Sequence, residues 1–386
     1  MTWFNLKIMK DVFIASENIL SPLGLTAADN FMQLNKLISG VKLHDDTAVS
    51  PYPFYAALFK EGDLFLNKLY EEKYTKFEKL LITSINDALQ KDSSIDATDK
   101  KSVLIISSAK GNISLLETEA YNKELENRIA LNTSAKLVAA HFNFANKPIV
   151  ISNACISGLV AIITGMRLIQ SGQYDTAIIA GADVISKFIL SGFQSFQAVS
   201  SSRCKPFDVA RNGINLGEGA GTIILSCNKR YDGAIKIAGG SISNDANHIS
   251  GPSRTGEELN FAITKAIKDA HLSTTEIDFI SAHGTATVYN DEMEANAITL
   301  SNLQQVPVNS LKGYFGHTLG AAGIIESVVS IYSLKQNMVL PTLGFQNAGV
   351  TKPINICTAL YKAPLQNCLK TASGFGGCNA AIVISK

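Results

Sequence analysis

Two distant stretches of the chain carry the same apolar pattern, and this repeat constrains the fold more than any other feature. When "SGLVAIITGMRLIQSGQ" (157–173) is laid on "AGIIESVVSIYSLKQNM" (322–338), Gly158 falls over Gly323. Leu159, Val160, Ile163, Met166 and Ile169 then fall over Ile324, Ile325, Val328, Ile331 and Leu334. Both stretches have helical period, follow a strand-like run and open on small residues that permit close packing. The chain therefore reads as two similar fused halves, 1–230 and 231–386, with the seam near "NKRYDG" (228–233).

Around these helices, short β-branched runs alternate with longer amphipathic ones, the pattern of layered α/β folds. Strands are expected near 11–15, 102–107, 148–152, 176–181, 221–226, 234–240, 277–282, 306–309 and 380–385. Helices are expected near 26–37, 74–90, 132–142, 155–171, 257–271, 290–301 and 319–336.

The composition excludes several classes. Lys plus Arg number 34 against 33 Asp plus Glu with no long run of either sign, so nucleic acid is not an expected partner. No stretch of about 18 apolar residues occurs, so membrane insertion is not expected. The N-terminus lacks a secretory pattern, so the protein is expected to stay in the cytoplasm. Met9 is an alternative start to Met1, because the strand-like "DVFIAS" begins only at Asp11. Six Cys and six His are scattered with no C-x-x-C or His-x-x-x-His pair, so neither a metal nor a disulfide framework is expected.

Four segments carry chemistry. "PIVISNAC" is a strand running into a turn that sets Cys155 at a helix start, where free N–H groups and the helix dipole favour a thiolate. Burial as a small hydrophobe explains a lone Cys equally well. "DFISAHGTAT" (278–287) ends a strand at His283 and continues into Thr285 and Thr287. "VNSLKGYFGHTLGAAG" (308–323) brings Lys312 and His317 ahead of the second repeated helix, without the G-x-x-x-x-G-K-[ST] spacing of a phosphate loop. "ASGFGGCNAAIVIS" (372–385) sets Phe375 among glycines.

In this order, with "CKPFDVARNGINLGEGAGTIIL" (204–225) between them, the motifs resemble the β-ketoacyl-acyl carrier protein synthases. These are the condensing enzymes of fatty acid and polyketide assembly, in the thiolase-like superfamily. The resemblance implies an α/β, five-layer αβαβα fold built from two similar halves, and a dimer with the nucleophile near the interface. It implies that Cys155 takes an acyl chain from a carrier-protein thioester and that His283 and His317 assist decarboxylation of a malonyl thioester. It further implies a supporting Lys312–Glu294 ion pair, and pantetheine binding by Thr285 and Thr287. Phe375 would gate the extender unit, with Gly374 beside it on the substrate path, and the amides of Cys155 and Phe375 would hold an oxyanion. Acyl carrier protein is the implied partner, and no cofactor is expected, since the substrates arrive on its phosphopantetheine arm.

Some positions depart from the family's pattern. Val288 replaces a Pro, Ile156 stands beside the nucleophile where Ser or Thr is common, and Cys378 stands where Thr is common. Lys110 in "SSAKGN" (107–112) falls on a segment that in the family helps line the acyl pocket across the dimer, where an unpaired ammonium pointing inward is costly beside a long saturated chain. Together with chain shortening near 40–75 and 112–135, this points to a specialised polyene or polyketide-like product and to a heterodimer with a chain-length partner as well as a homodimer. Arg203, Lys205 and Arg211 are candidates for carrier docking. The alternatives are a non-catalytic chain-length-factor-like subunit, which typically lacks the nucleophile, and a thiolase, which would use a second Cys.

Overall fold

The computed structural model describes residues 10–60, 73–246 and 251–386; Met9 and part of the segment 40–75 lie outside them. Ten strands form one sheet. Its first-half strands are β1 (Phe13–Leu20), β2 (Ser102–Ser107), β3 (Ile149–Ile151), β4 (Thr176–Asp183) and β5 (Gly219–Ser226). Its second-half strands are β6 (Lys236–Asn244), β7 (Phe279–Ser281), β8 (Val308–Asn309), β9 (Asn367–Gly374) and β10 (Cys378–Ser385).

The order across the sheet is β8-β7-β9-β10-β6-β1-β5-β4-β2-β3. Read outward from the centre, each set runs first, fifth, fourth, second, third. The directions match as well: the fifth strand is antiparallel to both neighbours, and the outer strands are parallel to one another. The two sets join where Phe13 of β1 pairs with Lys236 of β6.

Besides a short helix over Lys123–Ile129, the helices are α1 (Ala27–Asn35), α2 (Lys76–Gln90), α3 (Leu131–His141), α4 (Ser157–Gln170), α5 (Lys187–Ser195), α6 (Glu257–Asp269), α7 (Val288–Leu300), α8 (Lys312–Phe315) and α9 (Ala322–Gln336). The repeated helices α4 and α9 pack on each other and fill the middle layer, burying Leu159, Ile162, Ile324 and Val328 in one core. Gly158 and Gly323 are the crossing point: a Cβ on Gly158 would stand 2.8 Å from the Ile324 amide nitrogen, and one on Gly323 would stand 2.6 Å from that of Leu159. The outer layers are α2 with α3, through Phe77, Leu81 and Val138, and α6 with α7, through Ile263 and Met293. This is the αβαβα layering expected of the fold.

Two elements were not legible in the sequence. Strand β9 carries Lys370 at its centre and lacks a β-branched run, yet its interior is buried and paired on both sides. Helix α5 alternates small and aromatic residues, and its start is fixed by the Ser186 hydroxyl accepting from the Ile189 amide.

Candidate active site

The entries to α4 and α9 are brought together by the packing of those helices, and Cys155 and His317 come with them. Cys155 follows Ala154, whose φ of 44° is left-handed and costs a non-glycine residue about 1–2 kcal/mol. That turn points the half-buried sulfur out of the strand-to-helix junction. His317 is anchored by its backbone, with its N–H donating to Asn215 O at 2.6 Å and its carbonyl accepting from Gly217 at 3.0 Å. Its Nε2 lies 3.0 Å from Cys155 Sγ.

His283 lies two residues past the end of β7, and its ring stands edge-on to that of His317 with centroids 5.1 Å apart. Cys155 Sγ and a ring nitrogen of each histidine all lie within 4.8 Å of one another. The three residues sit in a cavity of about 700 Å³ that Thr285, Thr287, Gly374 and Phe375 also line. The two threonine hydroxyls are 2.9 Å apart. Phe375 sits in the β9–β10 turn with its ring against Phe193 and Phe196, at 6.0 and 5.7 Å between centroids. The following Gly376 takes φ 89°, a left-handed conformation that favours glycine, with open space where a Cβ would be. A Cβ on Gly374 would stand 3.0 Å from the Cys155 amide nitrogen, so only glycine lets this turn approach the nucleophile so closely.

Several expectations are corrected by the geometry. Lys312 does not pair with Glu294. Its Nζ bonds Glu326, lies 3.1 Å from His283 O and faces His283 Nδ1 at 3.5 Å. Glu294 instead accepts from the amides of His283 (2.6 Å) and Gly284 (2.7 Å) and from the Thr371 hydroxyl (2.7 Å), and so fixes the loop that carries His283. Ile156 is fully buried in the middle core and does not line the cavity, because the turn at Ala154 directs its side chain inward as that of Cys155 points out. Lys110 is half-buried, with its amide held by Ser108 Oγ and Asp183 Oδ1 at 3.3 and 3.2 Å, and its expected place is on a pocket formed across a dimer rather than on the cavity of its own chain. Arg211 is buried, bonded to Gly349 O (2.6 Å), Asp208 O (3.0 Å) and Glu292 (3.1 Å), and is no docking residue. Arg203 and Lys205 do reach the surface, beside Lys42 in a shallow groove.

The electrostatics differ from the helix-start expectation too. Burial pushes the Cys155 thiol up to about 12, and the positive charges of Lys312 and Lys110 only partly oppose it. The resting sulfur is therefore a thiol that needs a base, and His317 Nε2 is in place as that base. Burial first, and then the Lys312 and Lys370 charges, hold both histidines well below their ordinary value of 6.5, so both are neutral. Cys378 is buried in the core with Sγ 3.4 Å from Phe375 O, a packing position.

Sequence reasoning missed Glu326, Lys370, Phe193 and Phe196. Glu326 and Lys370 are charged residues at core positions, which no local pattern distinguishes from surface ones, while the aromatic pair comes from the unanticipated α5 and the turn after it. Among the described residues, no helix is long and apolar enough to cross a membrane.

The chain matches the family models "Beta-ketoacyl synthase, N-terminal domain" over residues 63–230 and "Beta-ketoacyl synthase, C-terminal domain" over 235–346. It is 27% identical to the 3-oxoacyl-(acyl-carrier-protein) synthase 2 of Vibrio harveyi, covering 97% of this chain and 98% of that one. It is 31% identical to a putative polyketide beta-ketoacyl synthase 1 of Streptomyces halstedii, over 68% of this chain and 66% of that one. Among solved structures, the ishigamide ketosynthase/chain length factor matches with a TM-score of 0.88 at 23% identity, covering 98% of this chain and 99% of that one. With both halves of the family model matched and the fold shared, this chain belongs to the beta-ketoacyl synthase family.

Proposed function

We propose that Cys155, His283 and His317 catalyse the decarboxylative condensation of an acyl group with a malonyl thioester, both delivered on acyl carrier protein. The observation that carries this reading is the convergence of one thiol and two neutral imidazoles within 4.8 Å in a single cavity. In the first half-reaction the Cys155 proton passes to His317 Nε2 while the sulfur attacks the acyl thioester carbonyl. The oxyanion is held by the amides of Cys155 and Phe375, and the carrier thiol leaves with the proton.

In the second, the malonyl carboxylate leaves as carbon dioxide and its electron pair forms an enolate. The enolate oxygen accepts hydrogen bonds from His283 Nε2 and from His317 Nε2, which takes up a solvent proton for this step after the thiol proton has left with the carrier. The neutral His283 imidazole donates without a permanent full charge, and the Lys312 ammonium at its Nδ1 leaves Nε2 as that ring's donor. The enolate carbon then attacks the acyl-Cys155 carbonyl, the C–S bond breaks, and the Cys155 thiolate takes the proton held at His317 Nε2. Thr285 and Thr287 hold the pantetheine amides, and movement of Phe375 admits the malonyl unit. No metal or other cofactor enters any step.

The carrier docks through Lys42, Arg203 and Lys205, whose charge suits an acidic partner. The protein works in the cytoplasm, paired with a second ketosynthase-fold chain. In support, β3 lies at the sheet edge with half-buried Ile149, Val150 and Ile151, only a few residues from Cys155. Mass spectrometry after incubation with acyl carrier protein tests the reading. An acyl adduct on Cys155, discharged as a 3-oxoacyl product when malonyl carrier is added, is expected, and absence of the adduct rejects it. Repeating the assay with acyl chains of graded length and unsaturation, with and without a chain-length partner, identifies the product class.

A further inference from the structure

Lys370, at the centre of β9, is fully buried, and oxygen atoms surround its ammonium group. Nζ lies 2.7 Å from Glu326 Oε2, 2.7 Å from Thr371 O, 3.1 Å from Ser281 O and 3.3 Å from Ala282 O. All four are acceptors. A neutral amine would have only two N–H groups and would turn its lone pair on an oxygen, so this shell fits the charged form. Glu326 Oε1 is bonded in turn to Lys312, which faces His283. One carboxylate thus lies between two ammonium groups beneath the imidazoles.

We propose that Lys370 is a positioning residue for the condensation: it anchors the Glu326 carboxylate that turns Lys312 onto His283 Nδ1, and it supplies a second buried positive charge under the two histidines. The inference rests on the reaction proposed above and adds a residue that contacts neither substrate nor nucleophile.

The physical reasoning has two parts. First, a carboxylate held at one oxygen has only one orientation in which the other meets Lys312, so Lys370 sets the direction of the Lys312 ammonium and hence the tautomer of His283. Second, a buried positive charge works against protonation of nearby imidazoles and favours the negative charge that develops on the enolate oxygen. Among the other groups around His283, the Glu294 carboxylate of α7 opposes this charge in part, since it accepts from the His283 and Gly284 amides and from the Thr371 hydroxyl next to Lys370, while His317 and Cys155 are neutral. Lys370 and Lys312 both act to lower the His283 pKa.

The experiment compares Lys370→Met and Lys370→Gln with the unaltered full-length protein. The Gln amide still donates to two of the four oxygens and keeps a folded variant available should Met fail to fold. Selective ¹⁵N labelling of histidine follows His283 by NMR through pH 4–8, and single-turnover assays separate acylation of Cys155 from condensation. In both variants the His283 titration is expected to move up by about one pH unit, as loss of a nearby like charge requires. Condensation is expected to fall by about 10-fold or more, with acylation unchanged within about 3-fold. An unmoved His283 titration, or undiminished condensation in a folded variant, overturns the inference. A moved titration in a protein that condenses no malonyl thioester would instead uphold the electrostatic role and overturn the reaction assigned above.

Discussion

The Sγ atom of Cys155 lies 3.0 Å from Nε2 of His317, although the two residues belong to opposite halves of the chain. The contact exists because α4 and α9 cross at two glycines, and in the proposed reaction His317 takes part in both half-reactions. His283 serves only the second. His283→Ala is therefore expected to leave acylation of Cys155 near normal and lower condensation by about 10²-fold or more. His317→Ala is expected to lower condensation as much and also to slow acylation, which remains measurable. Mass-resolved acyl-enzyme formation beside product formation checks both, and equal acylation in the two variants would remove the base role from His317.

The helix crossing itself is testable. Gly158→Ala places a methyl group 2.8 Å from a backbone nitrogen that cannot move aside without shifting α9. A loss of about 1–3 kcal/mol in stability is expected, read as a lower urea midpoint, with Gly158→Val worse.

Glu294 holds two backbone amides and one hydroxyl in a fully buried position. Glu294→Ala strands all three donors and should cost about 3 kcal/mol or more. If its main role were an ion pair with Lys312, replacing Lys312 by Met in the same chain would relieve that loss. The structure predicts no relief, and a double-mutant cycle in denaturant measures it.

The pH dependence follows from the neutral histidines. The folded state holds both below 6.5, the value expected when unfolded. Protonation therefore favours the unfolded chain: their contribution to stability is full above pH 6.5 and is lost as pH falls from there toward the folded values. Condensation needs a neutral His283 and should persist through pH 6, with its acid limb lower still. A limb centred at 6.5 or above in kcat would show that the rings are not held neutral.

The turn at Phe375 supplies a further test. Gly376 has room for a side chain but sits at φ 89°, so Gly376→Ala strains the backbone without a clash. A stability loss of about 1 kcal/mol is expected. If the ring must swing to admit the malonyl unit, entry of malonyl carrier slows while the first acylation does not, which stopped-flow quench experiments resolve.

Most of the architecture was legible in the sequence because it is encoded in local pattern. Helical period at 157–173 and 322–338 marks the middle layer, and short apolar runs mark most of the strands. Cys155, His283 and His317 stand out because each ends a strand or opens a helix within a small, glycine-rich context, a feature of neighbouring residues alone. What the tertiary structure decided concerns pairs that pattern cannot connect. Only the fold brings Glu326 to Lys312, turns Glu294 onto backbone amides and sends Ile156 into the core. It also decides the resting state of Cys155: a helix start by itself favours a thiolate, but burial raises the thiol more strongly and leaves His317 to take the proton. Charge and proton affinity depend on everything within a few ångströms in space, and spacing along the chain does not carry that information.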